Sequence, residues 1–349
     1  MTGRASALPV PGGRAGGTAV TEAVARLRTR PPLVSAESCH ALQRELSTAA
    51  AGLAVVVQTG DPAEPLPETG PGPARARVEL LAAVADAVES AAGVPAVRIG
   101  YLTGRPPGPG SGPADVSAYY DRAAAALETL QLTDYLPVFD AADGLCLTYA
   151  GHRPLLPHHE HALVREDDRR GGRYGSSAHL FRIGEHDLAA DGPLLAFAEA
   201  VTNPVAVEIG ADATAPGVAA LITRLAEGHP PGRLSLLVGP GSRATDRLPR
   251  LLRELGERAG RALWLSDPVR GGTRRDRPTR LVPDLVAEVR ACASVLDDHG
   301  LPFGGLHLEA VPEPRAGDRA LRLDPAQALA VARAAADRRP APSALVEGR

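Results

Sequence analysis

The stretch SSAHLFRIGEHDLAADGPLLAFAEAVTNPVAVEIG, residues 176–210, decides the fold. It ends in an apolar run that stops at a polar tip, after a segment with the apolar spacing of a helix. Three later segments repeat this ending after helical segments of their own: RLSLLVGPG at 233–241, ALWLSDP at 262–268 and GGLHLEA at 304–310. This alternation predicts an α/β fold, a (β/α)8 TIM barrel of parallel strands, in which the chemistry takes place where the strands end.

The domain organisation follows from length and apolar spacing. The 349 residues are enough for a large α/β domain with a buried core. We expect an N-terminal extension over 1–45, partly mobile and with short helical additions, a barrel over 46–338, and a frayed tail over 339–349. Apolar spacing predicts strands at 53–59, 97–102 and 146–149, and helices at 20–29, 38–50, 78–92, 115–132, 157–165, 216–227, 248–259, 282–298 and 327–338. The charge-rich segment 166–173 is predicted to be a solvated loop.

Composition narrows the possible partners. The net charge of −3 gives no electrostatic reason to expect nucleic acid or an anionic membrane as a partner. No apolar run is long enough to cross a bilayer, and the first residues lack the apolar core of a secretory signal, so we expect a cytoplasmic protein. The expected partner is a small-molecule substrate, and a homo-oligomer or a pathway-enzyme partner stays open.

The chain contains no lysine, because every basic residue other than histidine is arginine. A Schiff-base aldolase, a pyridoxal phosphate enzyme and a P-loop NTPase each need a lysine amine, so all three classes are excluded. Cys39, Cys146 and Cys292 are few and widely spaced, which favours reduced, buried thiols over disulfides or a zinc site.

A histidine-rich segment suggests a metal site at first sight. His158, His159, Glu160 and His161 are consecutive, and His152 is close in sequence. Consecutive residues of a helix point in different directions, so only His158 and His161 share a face. We therefore interpret the segment as part of an ordinary helix.

Several motifs, taken in order, resemble those of the class II 3-deoxy-D-arabino-heptulosonate 7-phosphate (DAHP) synthases. The resemblance covers roughly 30–336. It is carried by RPPLVSAES, VVVQTGDPAE, VRIGYLTGRP, SSAHLFRIGEHDLAADG, TNPVAVEIG, GRLSLLVGPG, LWLSDPVRGGT, GGLHLE and LDPAQAL. It implies a (β/α)8 barrel that condenses phosphoenolpyruvate with erythrose 4-phosphate, using a divalent metal, at the entry to the shikimate pathway.

The resemblance also implies where a metal should bind. Family members hold the ion with a Cys, a His, a Glu and an Asp. Glu309 and Asp324 stand at the Glu and Asp positions, whereas Pro62 and Arg270 replace the Cys and the His. Proline has no side-chain donor, and a guanidinium is a fixed cation that does not bind metals. We therefore expect no catalytic metal and no other cofactor, and Glu309 and Asp324 are either structural ion-pair partners or reactive carboxylates.

The phosphoenolpyruvate site departs from the family in a similar way. Arg98 and Arg105 match two basic family positions, whereas His186, Glu208 and Gly239 replace an Arg, a Lys and another Arg. Each new like-charge contact near 4 Å costs about 4 kcal/mol at an effective dielectric constant of about 20. A substrate with several negative charges should be repelled where family members bind it.

The candidate site residues combine these replaced positions with those that match the family. Asp267 and Arg280 match and are either substrate contacts or loop anchors. Asn203, the only asparagine, should have a structural task at the start of a strand. The candidate catalytic residues are Glu185, Glu208, Glu309, Asp324 and Arg270, and the candidate substrate-binding residues are Arg98, Arg105, His186, Asp267 and Arg280.

Three functions follow as hypotheses. The first is a repurposed enzyme, from a specialised biosynthetic pathway, that acts without metal on a small substrate less anionic than phosphoenolpyruvate. The second is a non-catalytic homologue that scaffolds or regulates a pathway enzyme. The third is a genuine DAHP synthase of the shikimate pathway.

Overall fold

The elements follow the predicted alternation of strands and helices. The computed structural model describes residues 18–62, 71–105, 108, 111–134, 148–187, 192–239, 242–269, 281–313 and 322–336. The strands are β1 (Val55–Thr59), β2 (Ala96–Gly100), β3 (Thr148–His152), β4 (Val164–Glu166), β5 (Arg173–Gly175), β6 (Leu180–Ile183), β7 (Val205–Ile209), β8 (Leu234–Val238), β9 (Leu263–Ser266) and β10 (Gly305–Leu308). The helices are α1 (Thr18–Leu27), α2 (Ala36–Ala50), α3 (Pro71–Ala92), α4 (Pro113–Asp134), α5 (Pro157–Ala162), α6 (Pro193–Ala200), α7 (Ala215–Leu225), α8 (Ser242–Leu255), α9 (Val282–Asp298) and α10 (Pro325–Ala336).

Eight of the described strands close into a parallel barrel. Their order is β1-β2-β3-β6-β7-β8-β9-β10, and β10 pairs with β1 again, with Val56 opposite both Val97 and Gly305. All five residues of β1, β7 and β8 are buried, because each strand is covered by the interior on one side and by helices on the other. The predicted (β/α)8 barrel is confirmed, and residues 176–210 include β6, α6 and β7.

The amino ends of the strands are closed by α2. Leu42, Leu46 and Ala49 of this helix share one apolar cluster with residues of the barrel interior. The side chains of Gln43 and Ser47 both donate hydrogen bonds to the carbonyl of Pro231, three residues before β8 begins. The predicted N-terminal helical additions are therefore α1 and α2, and the opposite end of the barrel is the mouth. The predicted boundary at 45/46 falls inside α2, and the predicted tail lies outside the described residues.

One predicted helix is shorter than expected. Residues 157–165 were predicted to be helical and 166–173 a loop, but α5 ends at Ala162, and β4 pairs antiparallel with β5. The carbonyl of Leu163 accepts hydrogen bonds from the backbone N–H of Ser176 at 2.9 Å and from its hydroxyl at 2.6 Å. This contact with a distant segment replaces the next helical hydrogen bond, which local spacing alone does not reveal.

Asn203 has the predicted structural task. Its side-chain oxygen accepts a hydrogen bond from the Gly175 N–H at 2.7 Å, and its Nδ2 donates to the carbonyls of Gly175 and Ala178 at 3.0 and 2.9 Å. These bonds tie the end of β5 and the approach to β6 to the start of β7.

Both cysteines in the described part of the chain are buried. Cys39 and Cys292 are free and buried, and burial raises the pKa of Cys292 to about 12. Cys146 lies outside the described residues.

None of the helices in the described part of the chain combines the length and the apolar character that a membrane crossing requires.

The histidine segment forms a buried polar network. Glu160 Oε1 lies 2.9 Å from His152 Nε2 and 3.1 Å from His159 Nδ1, and its Oε2 accepts a hydrogen bond from the Ser177 hydroxyl at 2.7 Å. His152 Nδ1 also lies 2.9 Å from the Tyr119 hydroxyl. Burial alone would raise the pKa of Glu160, but the charges of His152 and His159 and their hydrogen bonds hold this pKa well below its ordinary value. The segment includes the helix α5, as predicted, and its buried carboxylate contacts β3 directly and α4 through His152.

Replacing Glu160 by Gln should lower the free energy of unfolding by about 3–5 kcal/mol, because it disrupts a buried network in which one carboxylate contacts two histidines and a serine. A carboxyl with a lowered pKa stabilises the fold above its ordinary pKa and loses this effect as the pH falls. The stability of the wild type should therefore fall in acid more steeply than that of Glu160→Gln. Urea denaturation at several pH values measures both effects, with the exposed Glu79→Gln as the control. Wild-type stability of Glu160→Gln at pH 7 would contradict this account.

Candidate active site at the barrel mouth

The barrel interior changes from apolar to polar toward the mouth. Side chains alternate along a strand, so the residues that follow inward-facing apolar ones by two positions also face inward. Val56, Leu180 and Ala206 belong to the interior apolar cluster. The inward-facing residues of the next layer are Gln58, Tyr101, Arg182, Glu208, Asp267 and His307, and all six are buried.

Arg182 of β6 is the centre of this layer. Its Nε donates to Glu208 Oε1 at 2.6 Å, and its Nη2 donates to Asp267 Oδ2 at 2.8 Å. The side chain has no exposed area, and its guanidinium carbon lies 5.6 Å from the centre of the Tyr101 ring. Burial acts to lower the pKa of Arg182, but Asp267 and Glu208 outweigh this and raise the pKa above its ordinary value. One permanent cation therefore joins β6, β7 and the end of β9, and its two anionic partners outnumber it.

Aromatic and amide groups pack beside this ion cluster. The Tyr101 hydroxyl donates to Gln58 Oε1 at 3.2 Å, and its ring meets His307 edge-on, with centroids 5.3 Å apart. Burial raises the pKa of Tyr101 to about 12, so its hydroxyl is neutral at physiological pH. These contacts connect the polar layer from β1 and β2 to β10.

Two further acids lie at the carboxyl ends of β1 and β10. Asp61 Oδ2 accepts hydrogen bonds from Nε and Nη2 of Arg322 at 3.0 and 2.7 Å. Burial, together with the charges of Asp267 and Asp61, raises the pKa of Glu309 to about 8, although Arg182 opposes the shift. Near neutral pH, Glu309 is therefore a carboxyl group that can donate a proton.

Asp324 has a structural task at the start of α10. Its Oδ1 accepts a hydrogen bond from the Gln327 N–H at 2.9 Å, and Gln327 Oε1 accepts one from the Asp324 N–H at 3.1 Å. This reciprocal pair is a capping box, which satisfies free N–H groups in the first turn of a helix. The predicted catalytic role of Asp324 stays a prediction.

Arg98 was predicted to bind substrate at the mouth, but its side chain faces helix α3. It belongs to β2 between Val97 and Ile99, which both belong to the interior cluster, so alternation turns Arg98 outward. Its Nη2 donates to Asp86 Oδ1 of α3 at 2.7 Å. The sequence pattern predicted the strand correctly. Because Val97 and Ile99 face the interior, Arg98 between them faces the outside of the barrel.

The remaining candidates fall into three groups. Glu185 follows β6, and its carboxylate packs against Gly210, where a Cβ would overlap its oxygens. Arg105 is exposed in the segment between β2 and α4. Arg270, Arg280 and the side chain of His186 lie outside the described residues. Of the predicted site residues, the structure brings Glu208, Asp267 and Glu309 together around Arg182.

Sequence reasoning missed Arg182 itself. The signal was present, because LFRI in residues 180–183 places one arginine in an otherwise apolar strand. A charged side chain in a strand buried on both faces must meet a counter-charge inside the protein. Applied to this strand, that rule would have paired Arg182 with the acids at neighbouring strand ends.

The residues of the mouth do not fit a divalent metal. Pro62 is buried at the position of the implied cysteine ligand and has no side-chain donor atom. Asp324 caps a helix, and the guanidinium of Arg182 already binds Glu208 and Asp267. Within the described ranges, no group of three or more His, Cys, Asp and Glu is arranged to hold an ion.

A cavity of about 310 Å³ opens beside β7. Glu185 and Glu208 contribute its carboxylates, and much of its wall is apolar, including Leu195, Val218 and Leu221. Arg224, also in the wall, donates from Nη2 to Glu199 Oε2 at 2.9 Å. The cavity can take a small molecule with an apolar body and a polar or cationic end.

The family assignment rests on a match along most of the chain. The class-II DAHP synthetase family model matches residues 15–122 and 144–316. The chain belongs to this family. It is 26% identical to the phospho-2-dehydro-3-deoxyheptonate aldolase of Streptomyces coelicolor, over 83% of this chain and 82% of the relative. It is 28% identical to a probable phospho-2-dehydro-3-deoxyheptonate aldolase of Pseudomonas fluorescens, over 84% and 81%.

This DAHP synthetase family member is also similar to a solved structure. The truncated form of the 3-deoxy-D-arabino-heptulosonate 7-phosphate synthase from Thermotoga maritima matches with a TM-score of 0.48 and 14% identity. The match covers 80% of this chain and 84% of that one.

Replacing Asp324 by Ala should remove the helix cap and lower the free energy of unfolding by about 1 kcal/mol. Asp324→Asn keeps a capping oxygen and should retain most of the stability. Thermal unfolding of both variants measures the difference. Equal losses in the two variants would show that the charge of Asp324, rather than its cap, matters for the fold.

Proposed function

We propose that this DAHP synthetase family member is an enzyme adapted to a metal-independent reaction, in a specialised biosynthetic pathway, on a small substrate less anionic than phosphoenolpyruvate. The observation that carries the proposal is the ion cluster of Arg182 with Glu208 and Asp267 inside the mouth. We also expect the protein to act in the cytoplasm, and a homo-oligomer or a pathway-enzyme partner remains compatible with this role.

The charge balance of the mouth supports this choice of substrate. A phosphorylated carboxylic acid needs several unpaired cations around it. In the described part of the mouth, Arg182 is outnumbered by Glu208 and Asp267, and Arg322 binds Asp61. Arg98 faces α3. A neutral, singly charged or amine-bearing substrate meets less repulsion there than phosphoenolpyruvate does.

The roles that we propose follow from position. Glu309 transfers a proton at the end of β10, where its carboxyl group is held near the charge cluster. Glu185 and Glu208, which line the 310 Å³ cavity, bind the polar or amine end of the substrate. Arg105, Arg270, Arg280 and His186 are proposed to hold a carboxylate or phosphate of the substrate.

A second candidate function is a non-catalytic homologue that scaffolds or regulates a pathway enzyme. It is favoured by the observation that Glu208, Asp267 and Asp61 each already bind an arginine. Glu309 weighs against it, because a half-buried carboxyl group beside three other acids has a raised pKa, and such sites are often functional.

The direct test is an assay with phosphoenolpyruvate, erythrose 4-phosphate and Mn²⁺, with the Streptomyces coelicolor relative as the positive control. We expect turnover far below the roughly 10 s⁻¹ of a typical enzyme, because the mouth repels the first substrate. Mn²⁺-dependent turnover comparable to that of the relative would overturn the proposal and establish a genuine DAHP synthase.

A ligand screen separates the repurposed enzyme from the non-catalytic homologue. We expect amines, amino acids or singly charged keto acids to raise the melting temperature, because a ligand at 100 times its dissociation constant adds about 2.7 kcal/mol. Glu208→Gln should weaken the effect of amines specifically. If no ligand raises the melting temperature of the wild type or of the variant, the result would favour the non-catalytic homologue.

A further inference from the structure

We infer that the substrate of this mouth is an α-amino acid with an apolar side chain, and that Arg153 binds its carboxylate. The ammonium group then lies against Glu185 and Glu208, and the side chain occupies the cavity of about 310 Å³ beside β7. The inference rests on the proposed function, a small substrate less anionic than phosphoenolpyruvate, and it adds the substrate class and a binding residue that the sequence motifs did not indicate.

Arg153 places a partly exposed cation at the mouth. It directly follows the last residue of β3, and its Nη2 donates to Asp187 Oδ2 at 3.1 Å. The side chain of Arg153 is 25% exposed, so solvent and small molecules reach it. A guanidinium carries five N–H donors and suits a carboxylate, so one contact with Asp187 leaves capacity for a ligand.

Two glycines allow the charged groups to approach the strand ends closely. A Cβ at Gly184 would overlap Nη2 of Arg153, and a Cβ at Gly210 would overlap the carboxylate of Glu185. Because Gly184 immediately precedes Glu185, the guanidinium lies against the backbone next to this acid. The strands β3, β6 and β7 are neighbours in the barrel, so a cation and two acids follow one another along its rim.

The spacing of these groups suits the two charged substituents of one carbon atom. Neighbouring strands lie roughly 4.7–4.9 Å apart, so groups at the ends of β3 and β6 can contact the carboxylate and the ammonium of the same amino acid. A carboxylate accepts several hydrogen bonds, and Glu208 can therefore accept one from an ammonium while it binds Arg182.

The cavity takes the third substituent, which is the side chain. Glu208 faces the barrel interior and also lines the cavity, so the two spaces meet at this residue. Leu195 of α6 and Val218 and Leu221 of α7 form apolar wall beyond it. The volume is at the lower end of the roughly 300–1,000 Å³ of small-molecule pockets, which favours one apolar side chain over a larger group.

The test compares four probes by isothermal titration calorimetry at pH 7. L-leucine carries all three groups, 3-methylbutylamine lacks the carboxylate, 4-methylpentanoate lacks the ammonium, and L-alanine lacks the larger apolar group. The wild type should bind L-leucine at least about tenfold more tightly than each of the others, because each loses a charge-assisted contact or apolar burial. Equal binding of L-leucine and 3-methylbutylamine would overturn the inference, and so would equal binding of L-leucine and L-alanine.

Arg153→Met tests the carboxylate contact directly. It should weaken the binding of L-leucine by at least about tenfold and leave the binding of 3-methylbutylamine unchanged, whereas Arg153→Lys should restore part of the affinity. The matched control is Arg290→Met, because Arg290 is also half-buried but donates to the Ala334 carbonyl at 3.3 Å, between α9 and α10. An equal loss in Arg290→Met would overturn the role of Arg153. The comparison of probes on the wild type stays decisive if Arg153→Met does not fold.

The outcomes separate this inference from the proposed function. If 3-methylbutylamine binds as tightly as L-leucine, the amino-acid substrate is wrong and a less anionic substrate still stands. If no probe binds the wild type, the inference is wrong, and the assay with phosphoenolpyruvate and Mn²⁺ decides the proposed function separately. If that assay shows Mn²⁺-dependent turnover comparable to that of the relative, both are wrong.

Discussion

The buried contact of Arg182 with Glu208 and Asp267 holds together three strands at the mouth of the barrel. Its three side chains come from β6, β7 and the end of β9, so the contact exists only when the barrel is closed. Removing one partner of such a cluster leaves an uncompensated charge in a region that water hardly reaches. The same contact places two anions against the inner cation of the mouth.

Apolar and polar layers of the interior follow one another along the barrel axis. At the amino end, α2 adds Leu42, Leu46 and Ala49 to the interior cluster and closes the floor. At the carboxyl ends of the strands, the interior layer is polar, and acidic residues and glycines follow several strands. The outer helix layer has its own buried charge at Glu160, which serves packing between β3, α4 and α5. A barrel of the DAHP synthetase family can thus keep its architecture while the charges at its mouth change.

Much of the site could be predicted because strand ends face one edge of a parallel barrel. Glu208, Asp267 and Glu309 were candidates because they stand at positions of the family motifs, and the structure brings them together around Arg182. Arg98 was placed in the correct strand, yet its side chain faces α3, since one position along a strand exchanges interior for exterior. Asp324 matches a family position and also caps α10, a local task that motif comparison does not reveal.

The sequence by itself determined the alternation of strands and helices, the barrel and the family, whereas the replacement of implied metal ligands at Pro62 and Arg270 stays a prediction. These properties depend on local sequence pattern and on residue chemistry, which can be read from the amino-acid sequence. Only the tertiary structure decided which charges meet. It paired Arg182 with Glu208 and Asp267, turned Arg98 outward, and buried Glu160 between two histidines. The physical reason is that an electrostatic contact depends on distance and burial, and both arise only when residues far apart in the chain come together.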